Sequence, residues 1–232
     1  MKTTKRFHNR SQAGAELAGG FQRYRGAMNT LVVGLARGGV PVAAALSEKL
    51  NLPCNVFVSR KISTPEDRRC ALGAVTETGL VFLDEAVLRT EPWLPRELRR
   101  YIEEEIRLRE ADVVQRCACY REGRKSPDFW HKTVITVDDG TFTGATFVAA
   151  IQSLRKLGAT HIAGGLPVAP RQAIEQIRPL TDELVVLIAP ETVTRLEDYY
   201  DDFPELSDEE IANCLAERQE ATDKVAARRM TA

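Results

Sequence analysis

The stretch Val134–Thr146, with the sequence VITVDDGTFTGAT, decides the fold class of this chain. It overlaps a short, apolar and β-branched run, Thr133–Val137, which predicts a buried strand. Two adjacent carboxylates, Asp138 and Asp139, follow directly, and after a small hydroxyl-rich turn Gly144 opens a helix. The pattern is therefore a strand, an acidic pair, a tight loop and a helix N-terminus.

Each part of this pattern has a chemical use. The N–H groups at a helix start carry a partial positive charge and favour a phosphate, and Gly144 lets the backbone come close to an anion. The carboxylates of Asp138 and Asp139 only accept hydrogen bonds, so they suit a sugar diol or a hydrated cation. Together these features predict a sugar phosphate as ligand. The alternative is a plain turn with a helix cap.

A second strand, loop and helix precede this stretch. The apolar run Thr30–Leu35 leads through Arg37–Gly39 into the helical pattern Val42–Leu50, with Pro41 in its favoured first turn. The arginine offers a fork of donors, and the glycines allow unusual backbone angles. Alone, this loop is either a pyrophosphate cradle or a tight turn with a solvated arginine. Paired with the acidic loop, it favours the cradle, because two anion sites suit a ligand with phosphate at both ends.

Further strand and helix patterns alternate along the chain. They predict strands at Cys54–Val58, His161–Val168 and Leu184–Ile188 and helices at Ser11–Tyr24 and Arg171–Ile177. This alternation predicts an α/β fold with a doubly wound, mainly parallel sheet, which binds ligands at the carboxyl ends of its strands. Three segments follow such ends and are expected to lie together: Arg37–Gly39, Arg60–Lys61 and Asp138–Thr146.

The polar excursion after Cys54–Val58 predicts a hairpin or a lid. Arg60 and Lys61 at its start could stabilise a departing anion, or they are solvated surface charges.

The other regions complete one predicted domain, residues 1–220. The highly charged stretch 91–122 carries a narrow apolar stripe, which predicts an inserted long helix that packs on the sheet or forms a homodimer contact. Residues 1–26 and 190–220 are terminal segments. The second contains the aromatic and acidic Tyr199–Phe203 and a capped helix start at Ser207. Residues 221–232 are predicted to be a frayed tail.

Composition excludes some classes of protein. The 232 residues are 44% hydrophobic, enough for a full core, and the net charge of −1 argues against a nucleic-acid partner. The five cysteines, an odd number without a signal peptide, indicate the reduced cytoplasm. No apolar run approaches the roughly 20 residues of a membrane span, and the three histidines show no metal-binding spacing.

The opening stretch resembles the phosphoribosyl-pyrophosphate (PRPP) motif of type I phosphoribosyltransferases. The resemblance extends to several other segments. In these segments the chain is similar to a bacterial branch of predicted phosphoribosyltransferases that has no agreed acceptor. These segments are LARGGVPVA at Leu35–Ala43, RK at Arg60–Lys61, ALGAV at Ala71–Val75, PVAP at Pro167–Pro170 and YYDDF at Tyr199–Phe203.

The resemblance implies a fold, a reaction and site residues. It implies transfer of the 5-phosphoribosyl group from PRPP to a nitrogenous small molecule, with Mg²⁺ bound through the substrate rather than by direct protein ligands. The implied PRPP-binding residues are Arg37, Gly38, Gly39, Asp138, Asp139, Thr141, Thr143, Gly144, Ala145 and Thr146. Lys61 and Arg60 would neutralise the departing pyrophosphate. Tyr199, Tyr200 and Phe203 would stack on the acceptor within a hood of terminal segments, or they pack the last helix on the core.

Alternatives to this function stay open. Phe142 occupies the position where hypoxanthine-guanine enzymes carry a proton-handling aspartate, and a phenyl ring cannot transfer a proton, which argues against 6-oxopurine salvage. Because some regulators carry the same motif, a non-catalytic PRPP or nucleotide sensor is a second hypothesis. A sugar-phosphate hydrolase using Asp138 as a metal ligand is a weaker third, since the sequence shows no second cluster of metal ligands.

Overall fold

The computed structural model describes residues 6–64, 66, 71–90, 95–123 and 125–230. The strands are β1 (Thr30–Leu35), β2 (Cys54–Phe57), β3 (Ser59–Ser63), β4 (Ala71–Thr76), β5 (Val81–Leu83), β6 (Thr133–Val137), β7 (His161–Val168) and β8 (Glu183–Ile188). The α-helices are α1 (Arg10–Leu17), α2 (Gly39–Leu50), α3 (Glu85–Thr90), α4 (Pro95–Arg121), α5 (Ala145–Lys156), α6 (Arg171–Ile177) and α7 (Asp208–Met230). Short 3₁₀ helices occupy Ala18–Tyr24, Arg178–Leu180 and Leu196–Tyr199.

The main sheet has five parallel strands in the order β2-β1-β6-β7-β8. Strand β1 is buried along its whole length, and its alternate residues enter different cores. Leu31 and Val33 pack with α5 and α6, whereas Val32 packs with α1 and α2. Because helices cover both faces, the predicted doubly wound, mainly parallel α/β fold is confirmed.

Strands β1 and β6 position the two predicted loops. They pair in parallel from Thr30 opposite Thr133 to Gly34 opposite Val137. Strands that run in the same direction in register end at the same edge of the sheet. The loops that follow them, 36–39 and 138–144, are therefore neighbours.

The polar excursion forms a separate antiparallel sheet, β3-β4-β5. The chain leaves the main sheet at Val58, whose N–H donates to the Glu77 carboxylate at 2.7 Å and whose carbonyl accepts from the Glu77 N–H at 2.9 Å. Arg60 and Lys61 consequently lie within β3, opposite Val75 and Ala74, and not at the end of a parallel strand as predicted. Residues 65 and 67–70 of the excursion lie outside the described residues.

The helix bounds at both ends of the chain differ from the predicted ones. The first helix begins at Arg10, because the Asn9 side chain, rather than that of Ser11, accepts the Gln12 N–H at 3.0 Å. It ends at Leu17 and continues as a 3₁₀ helix instead of reaching Tyr24 as one α-helix. At the other end, α7 continues to Met230, past the predicted fraying point at 220.

The inserted helix α4 bridges the two sheets and the C-terminal helix. Its first half packs Leu98 and Ile102 on the antiparallel sheet. Its second half packs Val113 and Tyr120 against α7. Residues 91–94 of the predicted insertion lie outside the described part of the chain, and a short helix, α3, precedes them. Within the described ranges, no helix combines the length and apolar character that crossing a membrane requires.

We expect Gly14→Ala to destabilise the protein, because α1 and α2 touch at Gly14. A Cβ there would lie 2.2 Å from the Val42 carbonyl oxygen, a backbone atom that cannot move independently of α2. Overpacking of this kind costs about 1–3 kcal/mol in the free energy of unfolding. Urea unfolding measures the loss. Gly19→Ala is the matched control, since nothing lies within 4 Å of its Cβ, and equal losses in both variants would contradict the prediction.

Candidate functional site

The two loops touch at two glycines. A Cβ on Gly38 would lie 2.0 Å from Asp139 Oδ2, and one on Gly39 would lie 2.6 Å from the Val137 carbonyl oxygen. Neither position accepts a side chain, so close approach, rather than backbone angle, requires glycine here. The Ala36–Arg37 peptide bond at the start of this loop is cis. The structure thus brings together the Arg37–Gly39 turn and the acidic pair, as the sequence predicted.

The loop between β6 and α5 is held in shape by its own hydroxyls. Gly144 has a φ of +85°, and its N–H donates to Thr141 Oγ1 at 2.8 Å. The Ala145 N–H donates to Thr143 Oγ1 at 3.4 Å. Thr141 is buried, while Thr143 and Thr146 are partly exposed at the helix start. The loop therefore places a helix N-terminus and two partly exposed threonines beside the acidic pair.

The acidic pair carries an electrostatic penalty. Asp138 Oδ1 accepts the backbone N–H of Asp139 at 2.9 Å, which fixes the Asp138 carboxylate against the loop backbone. Burial, reinforced by repulsion from Asp139, raises the pKa of Asp138 well above its ordinary value. Burial also raises the pKa of Asp139, and Arg10 partly offsets that rise. The surroundings of the pair therefore disfavour the state in which both carboxylates are ionised.

Arg10 is the site residue that sequence analysis did not single out. Its Nε donates to Asp139 Oδ2 at 2.7 Å, and its Nη1 donates to the Pro204 carbonyl at 2.8 Å. Its guanidinium carbon lies 3.6 Å from the centroid of the Phe203 ring, a cation–π contact. Arg10 stands 129 positions from Asp139, and no local pattern distinguishes it from the other arginines near the N-terminus.

The aromatic tail segment, Tyr199–Phe203, forms the wall of the site, and the predicted stacking of Tyr200 on an acceptor is wrong. Tyr200 is 1% exposed, and its hydroxyl donates to the Asp139 carbonyl at 2.6 Å. Its ring lies between Phe7 and Phe203, with centroid distances of 5.5 and 4.7 Å. Tyr200 therefore supports the acidic loop and has no open face for an acceptor. Tyr199 packs in the same apolar cluster, and Phe203 carries Arg10 on its ring.

A cavity of about 430 Å³ opens between the two loops and this wall. Its lining combines cations, carboxylates and an apolar surface: Arg10, Arg37, Gly38, Asp139, Leu196, Glu197, Phe203, Pro204, Glu205 and Leu206. Arg37 Nη2 donates to Glu205 Oε1 at 2.9 Å, and the Glu205 side chain is 88% exposed. The cavity therefore joins the glycine turn and Asp139 to the terminal segments.

Arg60 is engaged elsewhere. Its Nε lies 2.5 Å from Asp112 Oδ2 on α4, and Asp112 also pairs with Arg116. Arg116 in turn pairs with Asp208 at the start of α7. Arg60 thus belongs to an ion-pair network that ties α4 to β3 and α7, and its role at the reacting centre stays a prediction. Lys61 is the next residue of the strand and projects from the opposite face of β3.

The glycine turn and the acidic loop lie side by side at the carboxyl ends of parallel strands, where open α/β sheets bind their ligands. A family model for the phosphoribosyl transferase domain matches residues 3–202. The chain belongs to this family of phosphoribosyltransferases, and its fold is that of the type I members.

Individual relatives agree with this assignment. Two proteins from different strains of Mycobacterium tuberculosis, each named "Putative phosphoribosyl transferase", are 32% identical over 211 residues. The match covers 91% of this chain but 46% of theirs, so the chain spans about half the length of these curated relatives. The crystal structure of TT1426 from Thermus thermophilus has 32% identity and a TM-score of 0.73, over 91% of this chain and 98% of that chain.

We expect Asp138→Asn to stabilise the protein at pH 7. Because folding raises the pKa of Asp138, the folded state binds the proton more tightly, and stability falls as pH rises above about 3.8, the ordinary value. Asparagine removes that penalty and keeps an oxygen for the Asp139 N–H. The gain should reach about 0.5–2 kcal/mol at pH 7 and shrink towards zero near pH 4, as measured by urea unfolding across pH.

The control for this experiment is Asp139→Asn. It removes the same charge, but Arg10 offsets part of the rise in the pKa of Asp139, so its gain at pH 7 should be smaller than that of Asp138→Asn. If both variants lose stability equally at every pH, the assigned electrostatics are wrong.

Proposed function

We propose that this protein binds PRPP and transfers its 5-phosphoribosyl group to a nitrogenous small-molecule acceptor, with release of pyrophosphate. The observation that carries the proposal is the contact between the glycine turn and the acidic loop, where Gly38 leaves no room for a side chain against Asp139. PRPP has phosphate at both ends of one pentose. Two anion-binding loops that meet at a pair of carboxylates match that ligand.

Each loop would hold a different part of PRPP. Asp138 and Asp139 would accept hydrogen bonds from the ribose hydroxyls. The segment Thr141–Thr146 would bind the 5′-phosphate with its threonine hydroxyls and helix N-terminus. Arg37 and the glycine turn would hold the pyrophosphate, the arginine through its fork of donors.

The reaction breaks the bond between ribose C1 and pyrophosphate while an acceptor nitrogen forms a new bond to C1. Positive charge develops on the ribose and negative charge on the leaving group, so the protein acts by positioning and by charge stabilisation. Arg37 lies on the leaving-group side, and Lys61 remains the candidate for neutralising departing pyrophosphate. Mg²⁺ would take its ligands from substrate oxygens and water, because it rarely has an all-protein cage, and would screen the pyrophosphate charge.

A second candidate function is a non-catalytic PRPP sensor. The ion pair between Arg60 and Asp112 favours it, because Arg60 is one of the two residues proposed to neutralise departing pyrophosphate. A screen separates the two functions: PRPP and Mg²⁺ are incubated with a panel of bases and amines, and pyrophosphate release is measured. Release with at least one acceptor supports the transferase. PRPP binding without release across the panel supports the sensor.

We expect Asp138→Asn combined with Asp139→Asn to abolish PRPP binding in calorimetry, because both proposed ribose acceptors lose their negative charge. Circular dichroism checks that the double variant is folded under the conditions used. Asp202→Asn is the control, since Asp202 lies on the same wall segment with an exposed side chain. Unchanged PRPP affinity in the double variant would refute the ribose assignment.

We expect Glu205→Gln to strengthen binding of inorganic pyrophosphate. The Glu205 carboxylate occupies Arg37 in the free protein, and an incoming pyrophosphate competes with it for the same guanidinium. Exposed ion pairs contribute about 0.2–1 kcal/mol, so the affinity gain should be at most about fivefold. Glu209→Gln on α7 removes the same charge from an exposed position and should change little. Equal affinities in wild type and Glu205→Gln would contradict the competition between Glu205 and pyrophosphate for Arg37.

A further inference from the structure

Arg10 connects three parts of the cavity that come from distant positions in the chain. It belongs to α1, donates to the Asp139 carboxylate in the β6–α5 loop, and donates to the Pro204 carbonyl in the C-terminal segment. Both members of the ion pair are nearly buried, with side chains 10% and 11% exposed. Such a pair is costly to break, because removing one partner leaves a buried charge uncompensated.

The acidic pair needs a positive charge of this kind. Two adjacent carboxylates, here a half-buried Asp138 and a buried Asp139, repel each other, and such a pair tends to keep one shared proton. A protonated carboxyl donates one hydrogen bond and loses acceptor capacity, which weakens its hold on a diol. Binding a ribose through both groups therefore requires that both be ionised.

Among the described residues, few charged and titratable groups surround Asp139. Asp138 repels it, Arg10 attracts it, and the Tyr200 hydroxyl donates to its backbone carbonyl. Arg37, Glu197 and Glu205 line the same cavity. Arg37 is paired with Glu205, so Arg10 is the cation that contacts the pair directly.

We propose that Arg10 is a positioning residue of the ribose site, whose guanidinium fixes the orientation of the Asp139 carboxylate and supplies the charge against which Asp138 and Asp139 both ionise. The inference deepens the proposed function and rests on it for the identity of the ligand. The electrostatic coupling of Arg10 to the acidic pair is independent of the ligand.

A second consequence follows from the contacts to the tail. Because the same guanidinium lies on Phe203 and binds Pro204, the wall segment and the ionised acidic pair are held by one side chain. Removing the positive charge of Arg10 would therefore change the ionisation of the acidic pair. Removing the planar guanidinium would loosen the wall segment, because its contacts with Phe203 and Pro204 would be lost.

The first test measures titration of the acidic pair without any ligand. The carboxyl carbons of ¹³C-labelled aspartate are followed by NMR across pH and assigned with Asp138→Asn and Asp139→Asn. In Arg10→Gln, which removes the charge but keeps hydrogen-bonding groups, the midpoint of the pair should move to higher pH. Arg10→Lys should restore a midpoint near that of wild type. An unchanged midpoint in Arg10→Gln overturns the proposal.

Arg6→Gln is the matched control. Arg6 donates to the Tyr200 carbonyl at 2.6 Å and pairs with Asp201, so it ties the same tail segment to the N-terminus without touching Asp139. Its removal should leave the titration of the pair unchanged. A shift in Arg6→Gln equal to that in Arg10→Gln would show a general effect of loosening the tail and overturn the specific role of Arg10.

A wild-type measurement covers the case in which Arg10→Gln does not fold. The Nε–H resonance of Arg10, observed in ¹⁵N-arginine-labelled protein, should titrate with the same midpoint as Asp139. A resonance that is insensitive to that transition overturns the proposal without any variant.

The second test measures PRPP binding by calorimetry across pH. At neutral pH, Arg10→Gln should bind PRPP about tenfold more weakly than wild type, and the affinity should recover as pH rises. An equal loss at every pH indicates a merely structural role and overturns the proposal. If wild type itself does not bind PRPP, the proposed function fails, while the NMR titration still decides the role of Arg10.

Discussion

The in-register parallel pairing of β1 with β6 is the constraint on which the rest of the site depends. It ends two strands at the same edge, so the glycine turn after β1 must pass directly against the acidic loop after β6. The 2.0 Å between a hypothetical Cβ of Gly38 and Asp139 Oδ2 measures how tightly this geometry is set. The backbone hydrogen bonds between β1 and β6 therefore set how close the two loops lie to each other.

This geometry buries charge. The acidic pair is packed against the glycine turn on one side and the tail segment on the other, and burial raises the pKa of both carboxyls. The terminal segments supply the compensation: Arg10 pairs with Asp139, Tyr200 donates to its carbonyl, and Glu205 pairs with Arg37. In the free protein, the negative charge of Asp139 and the positive charge of Arg37 are therefore each paired with a residue of the protein. In the proposed function, an incoming ligand would exchange some of these contacts for its own.

The inserted helix α4 connects the antiparallel sheet to the C-terminal helix α7. Arg60, Asp112, Arg116 and Asp208 form a chain of ion pairs from β3 through α4 to the start of α7. The tail segment 199–206 immediately precedes α7. The network thus fixes the start of α7, close to the Phe203 and Pro204 that Arg10 contacts, and it engages Arg60, the neighbour of the candidate Lys61.

The sequence alone determined the parallel sheet and the two loops. The bounds predicted for β1, β6, β7 and α6 are the ones observed, because buried parallel strands appear as short apolar runs and helices end at local signals. The Gly38–Gly39 turn and the Asp138–Asp139 pair were visible for the same reason, since each is a local pattern directly after a strand.

The tertiary structure decided what depends on residues distant in the chain. It paired Arg10 with Asp139 across 129 positions and buried Tyr200 behind the acidic loop. It also formed the ion pair between Arg60 and Asp112. It also turned the chain at Val58 into a second sheet through Glu77. None of these has a local signature, because an arginine or a tyrosine has the same pattern of neighbours whether it faces a ligand, a helix or water. Which of these it faces is set by packing between elements, and that is decided only when the chain folds.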